Sequence, residues 1–292
     1  MALSILTNSA SLNAQRNLSQ TGKALQSNFA KLSTGQRINT AGDDAAGLAI
    51  SERMKSQIRS LSQAERNSND GISLLQTAEG AMNENSGILI RMRELAMHSS
   101  TGTLTDEDRG SLQTEFSQLT SEIDRIADVT EFNGKKLLDG SETSVSFQVG
   151  IGATGSDSIK ADLVNMKRAT YGAGASDGKG GVSAGVDLSD ASMKIGNAAD
   201  AQAALAKIDE AIKLTSTSRA TLGSTQNRLQ VTVSNLQSAN NNLSSANSRI
   251  RDVDVAEESA AMTRNNILSQ AGMAVLSQAN QLPQQALSLL RG

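Results

Sequence analysis

From residue 208 onward one position in seven repeats without a slip: Ile208, Thr215, Leu222, Leu229, Leu236, Leu243 and Ile250, all but one of them apolar. Seven residues make close to two turns of α-helix, so these side chains fall on one stripe of a long helix. The companion positions, Leu205, Ile212, Arg219, Gln226, Val233, Asn240 and Asn247, begin apolar and turn polar. The only proline is Pro283, and no glycine pair interrupts the run, so the pattern predicts one helix of about 70 Å at ~1.5 Å per residue. A helix that long with so narrow a stripe needs a partner along its length. Arg219, Gln226, Asn240 and Asn247 have two readings: a solvated edge, or buried polar groups that fix helix register.

Two further helices can supply partners. Met54, Leu61, Ser68, Leu75, Met82, Leu89 and Ala96 keep the same spacing of seven within a helix expected from about Ala45 to Ser99. Another starts at Thr105, whose hydroxyl can cap it, with Asp106, Glu107 and Asp108 in its first turn against the positive end of the helix dipole. Its stripe is Leu112, Phe116, Leu119, Ile123 and Ile126. The middle of the chain is different in kind. Val145 to Val149 alternates apolar and polar and reads as a strand, and Ile159 to Leu163 is its expected hairpin partner. From Tyr171 to Gly185 the chain is rich in Gly, Ala and Ser and is expected to be an exposed loop.

The chain ends form a matched pair. Leu18, Leu25 and Leu32 stand seven apart near one end, and Ala261, Leu268, Val275, Leu282 and Leu289 near the other, with Gly272, Ala279 and Ala286 offering small positions for close approach. These segments are expected to pair with each other or with neighbouring copies. Both are rich in Ser, Asn and Gln with narrow stripes, so they are expected to be disordered in the free chain and to fold on assembly.

Composition removes most chemistry. With no cysteine, one histidine (His98) and aromatics at 2 % of 292 residues, thiolate or histidine metal sites and histidine triads cannot be built. No metal or cofactor is expected. Gly178-Lys179 lacks the rest of a phosphate loop, since position 173 is Ala and 180 is Gly. Asp43-Asp44 and Glu257-Glu258 read as helix-start or surface pairs. A net charge of −3 with basic residues scattered singly gives no footprint for nucleic acid. The N-terminal run lacks the basic and apolar regions of a secretory signal, and no stretch has the ~20 apolar residues of a membrane span. Asn17-Leu-Ser and Asn242-Leu-Ser are read as chance sequons inside helical stripes.

The run Leu32-Ser-Thr-Gly-Gln-Arg-Ile-Asn-Thr-Ala-Gly-Asp-Asp-Ala-Ala-Gly-Leu-Ala-Ile-Ser-Glu-Arg-Met54 resembles the N-terminal signature of bacterial flagellins. Arg91 to Ala96, Glu122 to Arg125, Phe132-Asn-Gly134, Gln270 to Gly272, Gln278 to Asn280 and Pro283 to Arg291 continue the resemblance in the family's order. It implies a mainly α fold, with long antiparallel helices from both chain ends in a coiled-coil-like bundle, a small β-hairpin and almost no outer domain. The implied parts are an inner terminal domain (1–43 with 252–292), a helical bundle with the hairpin (44–165 with 200–251) and a short variable surface loop (166–199).

The resemblance also implies a non-enzymatic, secreted subunit of the extracellular flagellar filament, assembled through Leu18, Leu25, Leu32, Leu268, Val275, Leu282 and Leu289. Its implied partners are further copies of itself, an export chaperone at the C-terminal segment, filament cap and junction proteins, and the host Toll-like receptor that senses flagellin, contacted by Arg91, Leu95 and Glu115. Arg91 and Leu95 are four apart and so are expected on one helix face, although Arg91 with Glu94 and Glu115 also reads as an ordinary salt-bridged surface. Leu289-Leu290-Arg291 matches a family end linked to cytosolic immune sensing, from which the final Gly292 departs. Ser176, Ser183 and Ser189 are candidates for O-glycosylation by location alone. A hook-filament junction protein, an enzymatic flagellin and an exported helical effector or adhesin are the competing readings.

Overall fold

Among the described residues the chain forms five α-helices, α1 (Ser9–Thr34), α2 (Ala45–Ser99), α3 (Asp106–Val129), α4 (Ala198–Arg251) and α5 (Val255–Arg291), with strands β1 (Glu131–Phe132), β2 (Lys135–Lys136), β3 (Ser144–Gln148) and β4 (Ser158–Asp162) between α3 and α4. The computed structural model describes residues 8–174, 185–189 and 193–291, with side chains described as far as residue 281. The fold is mainly α. Two units divide it: Met1–Ile58 with Asn241–Gly292, and Arg59–Asn240. Helices α2 and α4 contribute to both.

In the second unit α2 and α4 run antiparallel. Asn240 donates to Ser62 at 3.0 Å, Gln237 to Glu65 at 2.7 Å and Arg93 to Asp209 at 2.6 Å, so numbers rise on one helix as they fall on the other. On α2 the row Leu61, Ser68, Leu75, Met82, Leu89 and Ala96 is buried, as its spacing predicts. On α4 Ile208, Thr215, Leu222, Leu229 and Leu236 are buried likewise. The second inward row of α4 is not the companion set from Leu205. It is Ala204, Ala211, Ser218 and Thr225, and beyond Leu229 inward packing passes to Val233 and Leu236. An unstrained helix drifts by ~20° per heptad, so a straight seam changes rows along its length.

The polar companions are neither an open solvated edge nor a buried register set. Arg219 and Gln226 are half-buried and both reach Glu79, at 3.7 and 3.0 Å, while half-buried Asn240 reaches Ser62. Asn247, in the first unit, is half-buried with its Oδ1 unpartnered.

Helix α3 begins as its cap chemistry predicts: the Thr105 Oγ1 accepts from the Asp108 amide while the Asp108 carboxylate accepts from the Thr105 amide. That pair of bonds satisfies two otherwise orphaned donors. Phe116 and Ile123 are buried in the core cluster to which α2 and α4 also contribute, with Leu112 and Leu119 partly buried against it. The α2–α3 turn is tied by Arg109, whose Nε and Nη2 donate to the carbonyls of Ser99 and Thr101 at 3.0 and 2.9 Å. Beyond α3, Asn133 and Gly134 take positive φ of 51° and 77° and fold β1 onto β2 in a tight turn. Strands β3 and β4 pair antiparallel with Phe147 opposite Ile159, one residue from the expected boundaries.

The segment expected as a surface loop, 166–199 and within it Tyr171 to Gly185, is a core element where it is described. Met166, Tyr171, Leu188, Met193 and Ile195 are buried. Tyr171, fully buried, hydrogen-bonds Thr215 of α4 at 3.0 Å. Its chain is held by paired bonds with Val186. Gly172 has φ of 78°, and an added Cβ would lie 2.6 Å from Leu214; glycine permits both the turn and the approach to α4. A glycine-rich composition signalled a loop; the single Tyr within it made the loop a clasp.

Candidate assembly surface

The first unit is built from α1, α5 and the adjoining ends of α2 and α4. Helices α1 and α5 are antiparallel partners: Asn8 Nδ2 donates to the Ala279 carbonyl at 2.8 Å, Ser11 to Asn280 at 2.8 Å, and Asn265 to Asn28 at 2.8 Å, while Asn28 also donates to Glu258 at 2.5 Å. Of the two expected pairing modes, the chain shows the internal one. Between Gly35 and Val253 two crossing strands of chain are tied: the Arg37 amide donates to Arg251 at 2.6 Å and the Val253 amide to Gly35 at 3.1 Å. Arg251 in turn donates to Gln36 and pairs with Glu52. Asp43 accepts from the amides of Asn39 and Thr40, a hydrogen-bonded turn that lowers its pKa, first through the Thr40 amide. Asp44 accepts from the Gly47 amide and starts α2. Both carboxylates therefore serve the helix start, and Glu257 and Glu258 lie in the first turn of α5.

This unit has no core of its own among its described residues. Among its described residues the buried apolar side chains are Ala14, Ile38 and Ala279, and the buried polar ones are Ser11, Asn28 and Ser51. Ile38 alone is large. Meanwhile Leu12, Phe29, Ile50, Val255, Ile267, Leu268, Met273 and Val275 stand 40 to 65 % exposed. Of the residues expected to drive assembly, Leu18, Leu25 and Leu32 are half-buried along α1, and Leu268 and Val275 are exposed on α5. Leu282 and Leu289 lie outside the described side chains.

The expected receptor residues sit in the second unit. Arg91 bridges to Glu94 at 3.0 Å and to Glu115 on α3 at 2.9 Å, with half of its side chain exposed. These acceptors raise its pKa, Glu115 first. Leu95 does not share that exposure. It is 3 % exposed, in the core beneath the cluster, because four residues turn a helix by about 40° beyond a full circle, enough to carry a side chain from surface to seam. Ser189 is exposed and its hydroxyl donates to Asp187 at 2.6 Å; Ser176, Ser183 and the Gly178-Lys179 pair lie outside the described residues. Sequence reasoning missed the exposure of Phe29, for which a large apolar residue one turn from the Leu25 stripe was the available signal.

A profile described as the bacterial flagellin N-terminal helical region matches residues 5–143, and one described as the bacterial flagellin C-terminal helical region matches residues 205–290. The chain belongs to the bacterial flagellin family. Flagellin of Bacillus subtilis (strain 168) is 48 % identical over 301 residues, covering 97 % of this chain and 98 % of its own. The flagellar filament 33 kDa core protein of Treponema phagedenis is 43 % identical, with the same coverage. A putative flagellar hook-associated protein from Vibrio parahaemolyticus shares the fold, with a TM-score of 0.58 over 72 % of this chain and 100 % of that one at 16 % identity. Flagellins are structural, so the function to be explained is polymer geometry rather than catalysis. The two flagellin matches contain α1 to α3 and nearly all of α4 and α5, and the stretch between them holds β3, β4 and the Tyr171 clasp.

Proposed function

We propose that this chain polymerises through its terminal helices into the extracellular flagellar filament that drives swimming, with residues 1–43 and 252–292 forming an inner layer and 44–165 with 200–251 a second one. One observation carries the reading: among its described residues the first unit leaves eight large apolar side chains exposed while burying one. A helix pair that buries so little apolar surface gains little of the ~25 cal/mol per Å² that would offset its ordering entropy, so a stable form of this layer requires neighbours. Repetition of the same subunit supplies them. Identity of 48 % to a flagellin favours the filament over the junction role, since the hook-associated likeness is one of fold at 16 % identity.

Seeded growth tests this. Sheared filament fragments are incubated with full-length monomer or with a version lacking residues 1–40 and 253–292, and followed by negative-stain microscopy. Extension by the full-length chain alone is expected; extension by neither sends the reading back to a junction or effector role.

The same reading includes export from the cell, a chaperone on the C-terminal segment, and cap and junction proteins at the filament ends. It also includes recognition of the monomer by the flagellin-sensing Toll-like receptor through Arg91 and Glu115, with Leu95 supporting from the core. Absence of a receptor signal from soluble monomer, at concentrations where an active flagellin signals, removes that part.

A further inference from the structure

Five aromatic side chains occur in the whole chain, and four of them are at least half-buried: Tyr171, Phe116 and Phe147 within the core of the second unit and Phe132 against it. Phe29, on α1, is 65 % exposed. On the same unit α1 and α5 leave a groove of about 400 Å³ between them, lined by Ala14, Leu18 and Thr21 from α1 and Leu268, Gly272 and Val275 from α5. Its floor is low because residue 272 is glycine; a Cβ there would stand 3.5 Å from Leu18 Cδ1. Two of its walls, Leu268 and Val275, are themselves large apolar side chains half or more exposed.

We infer that Phe29 of one copy seats in the α1–α5 groove of the next, so that ring and groove form the repeating contact of the inner layer. The inference rests on the filament reading and names the contact within it. Phe29 lies eleven residues beyond Leu18 on a continuous helix, about 16 Å along α1 at ~1.5 Å per residue. A ring cannot reach a groove that far along its own helix, so the occupant comes from a second molecule. In a filament that repeats one step, each copy gives its Phe29 to one neighbour and takes the ring of another in its groove, a heterologous contact. Such contacts do not close in pairs, and growth continues in one direction. The groove is lined by no charged side chain, so seating a ring in it desolvates no ion of the groove.

The absence of native cysteine makes the contact directly measurable. Phe29→Cys chains and Val275→Cys chains are mixed, grown from seeds and oxidised, and a disulfide-linked dimer is expected from the mixed filament and not from mixed monomers. Filaments that grow from the mixture without forming that dimer overturn the proposal and leave the filament reading standing. Should either cysteine variant fail to grow, the critical monomer concentration of Phe29→Leu and Phe29→Gln decides. The leucine variant is expected within about threefold of the parent and the glutamine variant at least about tenfold higher, a tenfold step being ~1.4 kcal/mol. Equal critical concentrations for the two overturn it. Failure of the unaltered chain to extend seeds is a separate result, and removes the filament reading itself.

Discussion

Replacing Tyr171 by Phe isolates the worth of the clasp. The Thr215 hydroxyl already donates to the Ala211 carbonyl at 2.8 Å, so Tyr171 is the donor in the 3.0 Å bond between them. Loss of one buried hydrogen bond that leaves a satisfied hydroxyl behind costs about 1 kcal/mol, and this is the expected deficit at pH 7. The pH dependence is more telling. Burial raises the Tyr171 phenol from 10.0 to about 12. An unfolded chain therefore releases this proton around pH 10 while the folded chain holds it to about pH 12. The stability tied to the protonated phenol is whole below pH 10 and is lost as pH rises through 12. That loss amounts to about 1 kcal/mol by pH 11 and about 3 kcal/mol when complete, at ~1.4 kcal/mol per unit. Urea unfolding of the monomer, followed by circular dichroism from pH 8 to 11.5, measures it for parent and Tyr171→Phe together, so that lysine and arginine titrations cancel. The parent should lose its advantage and fall below the variant as pH rises. With one tyrosine and no tryptophan in the chain, absorbance at 295 nm reports Tyr171 alone, and a phenol that ionises near pH 10 in the folded chain refutes the reasoning.

Four other expectations follow from particular contacts. Asn85 is fully buried on α2 with both amide atoms unpartnered; Asn85→Leu, which keeps the branching at Cγ, should raise stability by roughly 1–3 kcal/mol in urea melts, and a loss would mean the amide is satisfied in solution. Leu89, also fully buried, should cost about 2–5 kcal/mol when cut to Ala, against less than ~0.5 kcal/mol for Val231→Ala at the surface; calorimetry separates the two. Arg91→Ala breaks two solvent-exposed ion pairs and should change the monomer's melting temperature little, since solvent screens exposed pairs. A receptor signal lost with unchanged melting would then be a recognition effect. Finally, amides of α1 and α5 should exchange quickly in the monomer and slowly in filaments, because among the described residues their unit buries one large apolar side chain; slow exchange in a verified monomer contradicts it.

Much of the architecture was legible because long helices write themselves plainly. The bounds of α2 and the Thr105 cap follow from spacing and from side-chain chemistry that acts within one turn. The second inward row of α4 escaped notice for a physical reason: Ala204, Ala211, Ser218 and Thr225 are small, and a search for large apolar residues does not register small ones that are buried. Tyr171 was misplaced because its neighbours are glycines, whose composition signals a turn without saying what the turn packs against. Leu95 shows the limit of reading faces by spacing, since one side of a buried seam and the adjoining surface differ by a fraction of a turn. For Phe29 the sequence offered only its place one turn from the Leu25 stripe, which does not separate an exposed ring from a core one; exposure is a property of what surrounds a residue.

The bonds between α2 and α4 have a mechanical consequence. Leucine against leucine resists separation well and sliding poorly, for a side chain moved one turn along an apolar seam meets another much like its own. Glu79 shared between Arg219 and Gln226, Glu65 with Gln237 and Ser62 with Asn240 are rungs that fit in one alignment only. Shear along the seam would have to break these rungs together and leave half-buried polar groups unmatched, so a load applied along the helices is carried by the subunit as a stiff strut.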